Sequence, residues 1–458
     1  MTFNKKAVYV LMAMLIFFSG VVLYFTYFQI FKSASLANAS TNPRTFAREQ
    51  SVKRGSIYDR TGVCLVESEM EADGQRRVHH YDSLYAQLIG YSDPRYQRSL
   101  LEASFNSYIL GGAEADFVET LLGIEDTEGS DLHLTVDHRL QKLASDALGG
   151  RKGAVVALDP ISGEVLCMVS NPTYNPNTLS EDYETLSKTP GMFYPRATSW
   201  NYAPGSIFKI ITAAAAIENG LDSTVYEDTE PLYIDGHPIY NYGKKTYGTL
   251  DMETAFSKSS NTYFAHIADM LGADKLRKTA ESFGFNTEIP FDIPFRESKT
   301  LSGSPSKAEV AAVGYGQGQT TTSPLHMAMV ASAIANDGIM MQPYLVSRAE
   351  KDGKAVYEQS GRILRRATSS TTAQKVGEMM QETVKSGTAT GAYIPDISVA
   401  AKTGTAETEG QKDHAWFVAY APAENPKIAL AIVLENSGST GSACAGMARD
   451  LISNWLRR

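Results

Sequence analysis

An uncharged apolar run opens the chain. Residues 7–28 contain no Asp, Glu, Lys or Arg, and most of them are Val, Leu, Met, Ile, Phe or Tyr. A helix of this length reaches about 33 Å, which is enough for the hydrocarbon core of a bilayer. Lys5 and Lys6 precede the run, so the positive-inside rule predicts that residues 1–6 form a cytoplasmic tail. Residues 7–28 are predicted to be a transmembrane helix, with the rest of the chain extracytoplasmic.

A cleaved signal peptide is the alternative interpretation of this run, because Ala37-Asn38-Ala39 offers an A-x-A pattern. The run is, however, longer than the about 7–15 residues of a signal peptide, and the pattern lies about nine residues beyond it. These features favour an uncleaved anchor. We therefore expect a single-pass protein of the cell membrane.

Hydrophobic periodicity becomes regular only from about residue 131. Residues 29–130, here called the pedestal, hold short apolar pieces without a long periodic helix, which predicts a small α+β module near the membrane. Two β-hairpins are predicted beyond it, at 154–169 and at 414–434, each around a Pro-containing turn. Helical spacing predicts further helices at 138–148, 206–218, 274–283, 323–336, 373–385 and 442–456.

The order of these elements predicts the fold class of residues 131–458. Strands occur at both ends of this segment and helices lie between them. Such an order favours an α+β fold, in which an antiparallel sheet is closed by distant segments and carries a helical subdomain. We expect residues 131–458 to form one domain.

Composition argues against a nucleic-acid-binding protein, a zinc enzyme and a disulfide-rich protein. The chain has 42 Lys+Arg against 51 Asp+Glu, a net charge of −9, so it shows no basic footprint for nucleic acid and no nucleic-acid partner is expected. Cys64, Cys167 and Cys444 lack the spacing of a zinc site and are too few for a disulfide scaffold. His79-His80 is expected to be a solvated pair. No metal and no cofactor are therefore predicted.

The first candidate for chemistry is Ser206-Ile207-Phe208-Lys209, at the start of the predicted helix 206–218. Residues three apart on a helix share a face, so the serine hydroxyl and the lysine amine can come within hydrogen-bonding reach. A serine is a poor nucleophile unless a base takes its proton, and a lysine is a base only when burial lowers its pKa. The alternative is a helix with one solvated lysine.

The second candidate is Ser259-Ser260-Asn261. In a tight turn, a hydroxyl and an amide two residues apart can both reach one site, where the hydroxyl relays a proton and the amide pairs with a peptide-like substrate. A helix cap before the apolar segment that follows is the competing interpretation.

The third candidate is Lys402-Thr403-Gly404-Thr405, which follows a short apolar stretch predicted to be a strand edge. Such an edge can pair with an extended peptide, and Gly404 allows a ligand to approach the backbone closely. Lys402, Thr403 and Thr405 could bind a carboxylate.

The three motifs together, S-x-x-K, S-x-N and K-T-G in this order, form the active-site set of penicillin-interacting serine enzymes. The chain resembles the class B penicillin-binding proteins, the monofunctional D,D-transpeptidases of cell-wall synthesis. Further segments that resemble this family are 54–62, 134–141, 314–318 with 323–328, and 414–422. Ala419, where glycine is usual, Ser323, where threonine is usual, and a short pedestal depart from the family pattern.

The resemblance implies a penicillin-binding and serine β-lactamase-like transpeptidase domain after the pedestal. It also implies a set of roles for residues of the three motifs. Ser206 is the nucleophile, Lys209 its base, Ser259 the proton carrier to the leaving amine, Lys402 a charge that tunes the site, Asn261 a ligand of the substrate amide, and Thr403, Gly404 and Thr405 the carboxylate-binding edge. The backbone N–H groups of Ser206 and Thr405 are expected to form the oxyanion hole. Arg54, Asp59 and Arg60 are expected to hold the pedestal together by ion pairs.

The implied partners are peptidoglycan stem peptides, with a D-Ala-D-Ala donor and an amine acceptor, and β-lactam antibiotics that acylate the serine. A SEDS-type glycosyltransferase in the membrane is the implied protein partner. Three alternatives stay open at this point: a D,D-carboxypeptidase with water as acceptor, a β-lactam sensor or scaffold without turnover, and a β-lactamase.

Overall fold

The protein was analysed as a computed structural model, which describes residues 5–31, 52–71, 74–111, 128–229, 231–408 and 410–457. The helices are α1 (Lys5–Phe31), α2 (Ala86–Ile89), α3 (Leu100–Ser104), α4 (Asn106–Ile109), α5 (His138–Leu148), α6 (Leu179–Leu186), α7 (Lys209–Glu218), α8 (Met252–Lys258), α9 (Asn261–Ser282), α10 (Lys307–Gly314), α11 (Pro324–Ala335), α12 (Ser370–Lys385) and α13 (Ala445–Leu456).

The strands are β1 (Ile57–Tyr58), β2 (Cys64–Glu71), β3 (Gly74–His79), β4 (Ser92–Asp93), β5 (Gln97–Arg98), β6 (Asp131–Leu134), β7 (Gly153–Leu158), β8 (Val165–Asn171), β9 (Tyr226–Asp228), β10 (Leu232–Ile234), β11 (His237–Ile239), β12 (Gly248–Leu250), β13 (Ile339–Met341), β14 (Val346–Lys351), β15 (Lys354–Glu358), β16 (Ile363–Arg366), β17 (Ala400–Ala406), β18 (His414–Ala421) and β19 (Ile428–Leu434). Short 3₁₀ turns lie at Asp82–Tyr85, Pro176–Thr178, Gly205–Phe208, Tyr242–Lys244, Thr390–Ala392 and Gly441–Cys444.

An antiparallel sheet with the order β17-β18-β19-β7-β8 forms the centre of the catalytic part. Both predicted hairpins are confirmed, as β7–β8 and β18–β19, and β19 joins them by pairing with β7. All residues of β7 are buried because alternate side chains pack into different cores. Val156 belongs to the core with α7, α9 and α11, whereas Val155 belongs to the core with α5 and α13. The predicted α+β fold is confirmed.

Four predicted helices differ from the observed ones by three residues or more at their N-terminal ends. The helix predicted at 373–385 begins at Ser370, and the one predicted at 442–456 begins as the 3₁₀ turn Gly441–Cys444, with α13 starting at Ala445. The helix predicted at 206–218 begins as the 3₁₀ turn Gly205–Phe208, and α7 starts only at Lys209. The helix predicted at 274–283 is the second half of α9, which already begins at Asn261. Gly272 interrupts α9 with φ of +74°, a conformation that glycine adopts without steric cost. The residues before and after Gly272 therefore have separate helical patterns in the sequence, and only the second one predicted a helix.

The pedestal shares a sheet with the segment that follows it. The order is β15-β14-β6-β1-β2-β3, and β1 pairs in parallel with β6. Strands from both sides of residue 131 therefore form one layer. The two predicted parts are joined by backbone hydrogen bonds between their strands.

The ion pair expected for Arg54 is present and is buried. Its guanidinium lies 2.6 Å from Glu102, which Arg77 also contacts at 2.7 Å. Asp59 differs from the expectation, because its carboxylate accepts hydrogen bonds from backbone N–H groups, including that of His138. It thereby ties the pedestal to the start of α5.

Within the part of the chain that the structure describes, we find no helix that is both long enough and apolar enough to cross a membrane. The transmembrane segment at 7–28 stays a prediction from the sequence.

Candidate active site

Ser206 lies in a turn where three backbone segments approach each other closely. Gly205 has φ of +56°, and its N–H donates to the carbonyl oxygen of Gly316 at 2.8 Å. A Cβ on Gly205 would lie 2.3 Å from the carbonyl oxygen of Thr405, and one on Gly316 would lie 1.8 Å from the carbonyl oxygen of Gly205. The nucleophile turn, Gly205–Phe208, can therefore lie directly against β17 and against Gly316, because neither glycine carries a Cβ.

Lys209 is fully buried and its amine reaches the serine. Its Nζ lies 3.0 Å from Ser206 Oγ, 2.7 Å from the carbonyl oxygen of Ser259 and 2.8 Å from Asn261 Oδ1. The last two oxygens only accept hydrogen bonds. A neutral amine has two N–H groups for these two acceptors, which leaves its lone pair for the hydroxyl of Ser206. The geometry accommodates the deprotonated, basic form of Lys209, and burial favours that form by lowering the pKa.

A second buried lysine stands on the opposite side of Ser259. Nζ of Lys402 lies 2.8 Å from Ser259 Oγ, and Nζ of Lys209 lies 3.3 Å from the same oxygen. Lys402 is also fully buried and donates to the carbonyl oxygen of Thr403 at 3.0 Å. The hydroxyl of Ser259 therefore bridges two amines.

Burial lowers the pKa of both lysines, and the charge of Lys402 lowers that of Lys209 further. Burial, and then the positive charge of Lys402, hold the pKa of Lys209 well below its usual range. Burial alone lowers the pKa of Lys402 to about 7. Aromatic rings contribute to this dry environment. The ring centre of Phe264 lies 5.7 Å from Nζ of Lys209, and that of Phe256 lies 5.6 Å from Nζ of Lys402. Lys209 is thus the group best suited to act as a base.

Two interpretations of Ser259-Ser260-Asn261 were open, a tight turn that presents catalytic groups and a helix cap. Each of them applies to part of the motif. Ser259 ends α8 in the left-handed conformation, with φ of +62°, which makes the sharp turn. Ser260 caps α9 by accepting the N–H of Tyr263. Asn261 is the first residue of α9, and its Nδ2 donates to the carbonyl oxygen of Tyr240 at 3.0 Å. The cap fixes the direction in which the two outer side chains point.

The K-T-G motif lies inside β17 rather than after it, so the observed strand extends beyond the apolar stretch that predicted it. β17 is the edge strand of the central sheet. Thr403 Oγ1 lies 2.5 Å from Thr388 Oγ1, and a Cβ on Gly404 would lie 3.0 Å from Ile207. The nucleophile turn covers Gly404, while Thr403 and Thr405 line the open cleft.

The cleft between these motifs has a volume of about 410 Å³. It is lined by Ser206, Pro238, Ile239, Tyr240, Tyr242, Lys245, Tyr247, Lys258, Ser259, Asn261, Tyr315, Gln317, Thr388, Thr403, Thr405, Glu407, Thr440, Gly441 and Ser442. Sequence reasoning missed Thr388, Ser442 and the tyrosines of the 240–247 loop. They come from separate loops that carry no motif, whereas Tyr315 and Gln317 lie within the quoted 314–318 segment and so had a signal.

The two unusual residues fit their positions. Ser323 caps α11 by accepting the N–H of His326 at 3.3 Å, as a threonine hydroxyl could. Ala419 is fully buried on β18, where it pairs with Ala401 and Leu430. On the β17 side its paired residue, Ala401, is as small as Ala419 itself.

A buried lysine beside a serine, with a second lysine and an open strand edge, defines a serine acyl transferase of the penicillin-interacting type. A family profile described as "Penicillin binding protein transpeptidase domain" matches residues 153–453. A second one, "Penicillin binding protein A dimerisation domain", matches residues 54–132. The chain therefore belongs to the penicillin-binding protein transpeptidase family, as a class B penicillin-binding protein.

Individual relatives agree with this assignment. The chain is 34% identical over 450 residues to the peptidoglycan D,D-transpeptidase PbpA of Mycobacterium tuberculosis, with 91% of each chain covered. The solved D,D-transpeptidase domain of a peptidoglycan glycosyltransferase from Eggerthella lenta superimposes with a TM-score of 0.82 at 36% identity, over 89% of this chain and 99% of that one. Penicillin-binding protein A from M. tuberculosis, solved as its penicillin G acyl-enzyme complex, gives 0.83 at 31% identity, over 89% and 100%. The predictions of family, fold and D,D-transpeptidase activity are confirmed.

Proposed function

We propose that Ser206 attacks the penultimate D-Ala carbonyl of a peptidoglycan stem peptide, expels the terminal D-Ala and holds the rest as an acyl-enzyme. An amine of a neighbouring stem peptide then takes the acyl group, which forms the cross-link and frees the serine. The observation that carries this proposal is the 3.0 Å contact between Ser206 Oγ and the buried amine of Lys209. β-Lactams acylate the same oxygen.

The proton follows the chain of contacts around Ser259. Lys209 accepts the proton of Ser206 through its free lone pair during attack. Ser259 then donates its own proton to the leaving D-Ala amine and is reprotonated by Lys209, which becomes neutral again. Lys402 stabilises the negative charge that develops in the site, because its positive form lies within hydrogen-bonding distance of Ser259 Oγ.

Substrate binding is assigned to the two walls of the cleft. Asn261 binds the amide of the stem peptide, and Thr403 and Thr405 bind the terminal carboxylate. Gly404 faces the nucleophile turn rather than the cleft, so its role is to let that turn pack against β17 and not, as expected from the sequence, to admit the ligand. The N–H groups of Ser206 and Thr405 stabilise the oxyanion, which is supported by the close approach of the nucleophile turn to β17.

The nucleophile assignment is tested with a fluorescent penicillin. Ser206→Ala should abolish labelling, whereas Ser442→Ala, which changes another serine of the cleft, should keep it. A folded Ser206→Ala protein that is still labelled contradicts the assignment. Thermal unfolding of both variants establishes that they are folded.

The acceptor is tested by mass spectrometry of products from purified enzyme, a D-Ala-D-Ala donor peptide and a labelled amine acceptor. Cross-linked dimer together with released D-Ala is the expected result. Released D-Ala without dimer would instead identify a D,D-carboxypeptidase.

Membrane anchoring by residues 7–28 and assembly with a SEDS-type glycosyltransferase complete the proposal. Anchoring is supported by the uncharged run and by exposed apolar side chains along α1, such as Phe17 and Leu23. Carbonate extraction should leave the protein with the membrane, and release into the supernatant would contradict it. Replacement of residues 7–28 by an unrelated membrane span should preserve anchoring and abolish copurification of the polymerase. Undiminished copurification would exclude the segment as its contact.

A further inference from the structure

Three metal-ligand side chains meet at one place in the pedestal. The thiol of Cys64, the carboxylate of Glu67 and the imidazole of His80 offer ligand atoms that all lie within 4.8 Å of one another. Their spacing in the sequence does not predict this. Cys64 and Glu67 are both on β2, three residues apart, and such residues face opposite sides of a regular strand.

A β-bulge brings these side chains to the same side. Ile57 on β1 pairs with Val66, but Tyr58 pairs with Cys64, so Leu65 is an extra residue in β2. Leu65 and Val66 are consecutive and are both buried. The alternation of the strand is therefore shifted by one position, and Cys64 and Glu67 flank the buried pair on the more exposed side.

His80 is held beside this bulge. Its backbone N–H donates to the carbonyl oxygen of Leu65 at 3.0 Å, immediately after β3 ends. Its Nε2 lies 2.9 Å from Glu67 Oε1. An ion pair alone would account for these two side chains but would not involve the thiol of Cys64.

The distances suit a tetrahedral ion. With bonds of about 2.0–2.3 Å to zinc, ligand atoms in a tetrahedral site lie about 3.3–3.8 Å apart. The 2.9 Å contact between Glu67 and His80 must widen slightly, and since all three ligand atoms lie within 4.8 Å of one another, no separation needs to shorten by more than about 1.5 Å. Both side chains are partly exposed, with 44% and 35% of their surfaces accessible, which leaves room for this adjustment and a path for the ion.

We propose that Cys64, Glu67 and His80 bind a zinc ion in the pedestal, with water as the fourth ligand. Thiolate, imidazole and carboxylate are the ligands that zinc takes in proteins, and three protein ligands plus water form a complete site. The thiol proton passes to solvent when the ion binds. The ion links the first residue of β2 to the residue after β3 and so clamps the β2–β3 hairpin.

Alkylation of native protein provides a direct test. Cys167 and Cys444 are fully buried, so a maleimide added to the purified full-length chain reports mainly on Cys64. After removal of metals by a chelator, zinc at ten times its dissociation constant should slow this alkylation about tenfold, because only the free thiol reacts. Magnesium, which prefers oxygen ligands, should not protect. Cobalt should produce a thiolate-to-cobalt charge-transfer band in the same protein.

Variants separate a metal site from a chance cluster. Glu67→Gln and His80→Ala should weaken the protection by zinc, and Cys64→Ser should remove the cobalt band. Glu69→Gln, on the same strand but paired with Arg76, is the matched control and should retain both. Labelling by penicillin verifies that each variant is folded. Equal alkylation with and without zinc, or full protection in His80→Ala, would overturn the proposal.

Discussion

Replacement of Lys402 by methionine tests whether repulsion between the two buried lysines keeps Lys209 basic. Both amines contact Ser259 Oγ and so lie within about 6 Å of each other. Two unit charges at this distance, at an effective dielectric constant of about 20, repel by about 3 kcal/mol, equivalent to about two pKa units. Lys402→Met keeps most of the side-chain volume and removes this repulsion.

The direction of the effect follows from the charge states. Lys402 carries its charge below about pH 7, and this charge makes protonation of Lys209 harder. Without this charge the pKa of Lys209 rises. Lys209 is then protonated, and inactive as a base, at a higher pH. The acid limb of the rate profile should therefore move upward, by as much as about two pH units.

The measurement is the second-order rate of acylation by a fluorescent penicillin between acidic and alkaline pH, normalised to its maximum for each variant. Normalisation separates the shift from the lower absolute rate caused by the lost contact with Ser259. Lys258→Met removes an exposed lysine that also lines the cleft, and it should leave the profile in place. An acid limb that stays put or moves downward in Lys402→Met would refute the reasoning.

Two further predictions concern stability and are measured by chemical unfolding. Gly205→Ala should lower the free energy of unfolding by at least about 3 kcal/mol, because the new Cβ meets the β17 backbone and φ at this position is positive. Gly220→Ala is the control: φ is also positive there but the space is open, so the loss should be only about 1–2 kcal/mol. Equal losses would show that the contact with β17 is unimportant. Glu435→Gln should cost about 3 kcal/mol because it removes the negative charge that lies 2.6 Å from the buried Arg196. Asp146→Asn, in an exposed pair, should cost less than about 0.5 kcal/mol. A small loss in Glu435→Gln would contradict the assignment of that pair.

Local patterns in the chain were sufficient to predict much of the secondary structure. Helical spacing after Asp137 predicted α5 with its observed bounds, and alternation around Asp159–Gly163 predicted the first hairpin. These patterns work because helix caps, turns and periodic burial depend on residues that are close in sequence. Where backbone conformation depends on a distant contact, the patterns were insufficient. Ser206, for example, lies in the 3₁₀ turn Gly205–Phe208, which packs against the distant strand β17.

The sequence by itself determined which groups are available for catalysis: a serine and a lysine one helical turn apart, a second serine before an asparagine, and a K-T-G strand. Tertiary structure alone decided what these groups can do. Lys402 reaches Ser259 across 143 residues of chain, and burial of both lysines lowers their pKa values. Desolvation depends on everything that packs around a charge, which no local pattern records. The same reason applies to the bulge at Leu65, where pairing with β1 rather than the order of residues brings Cys64 beside Glu67.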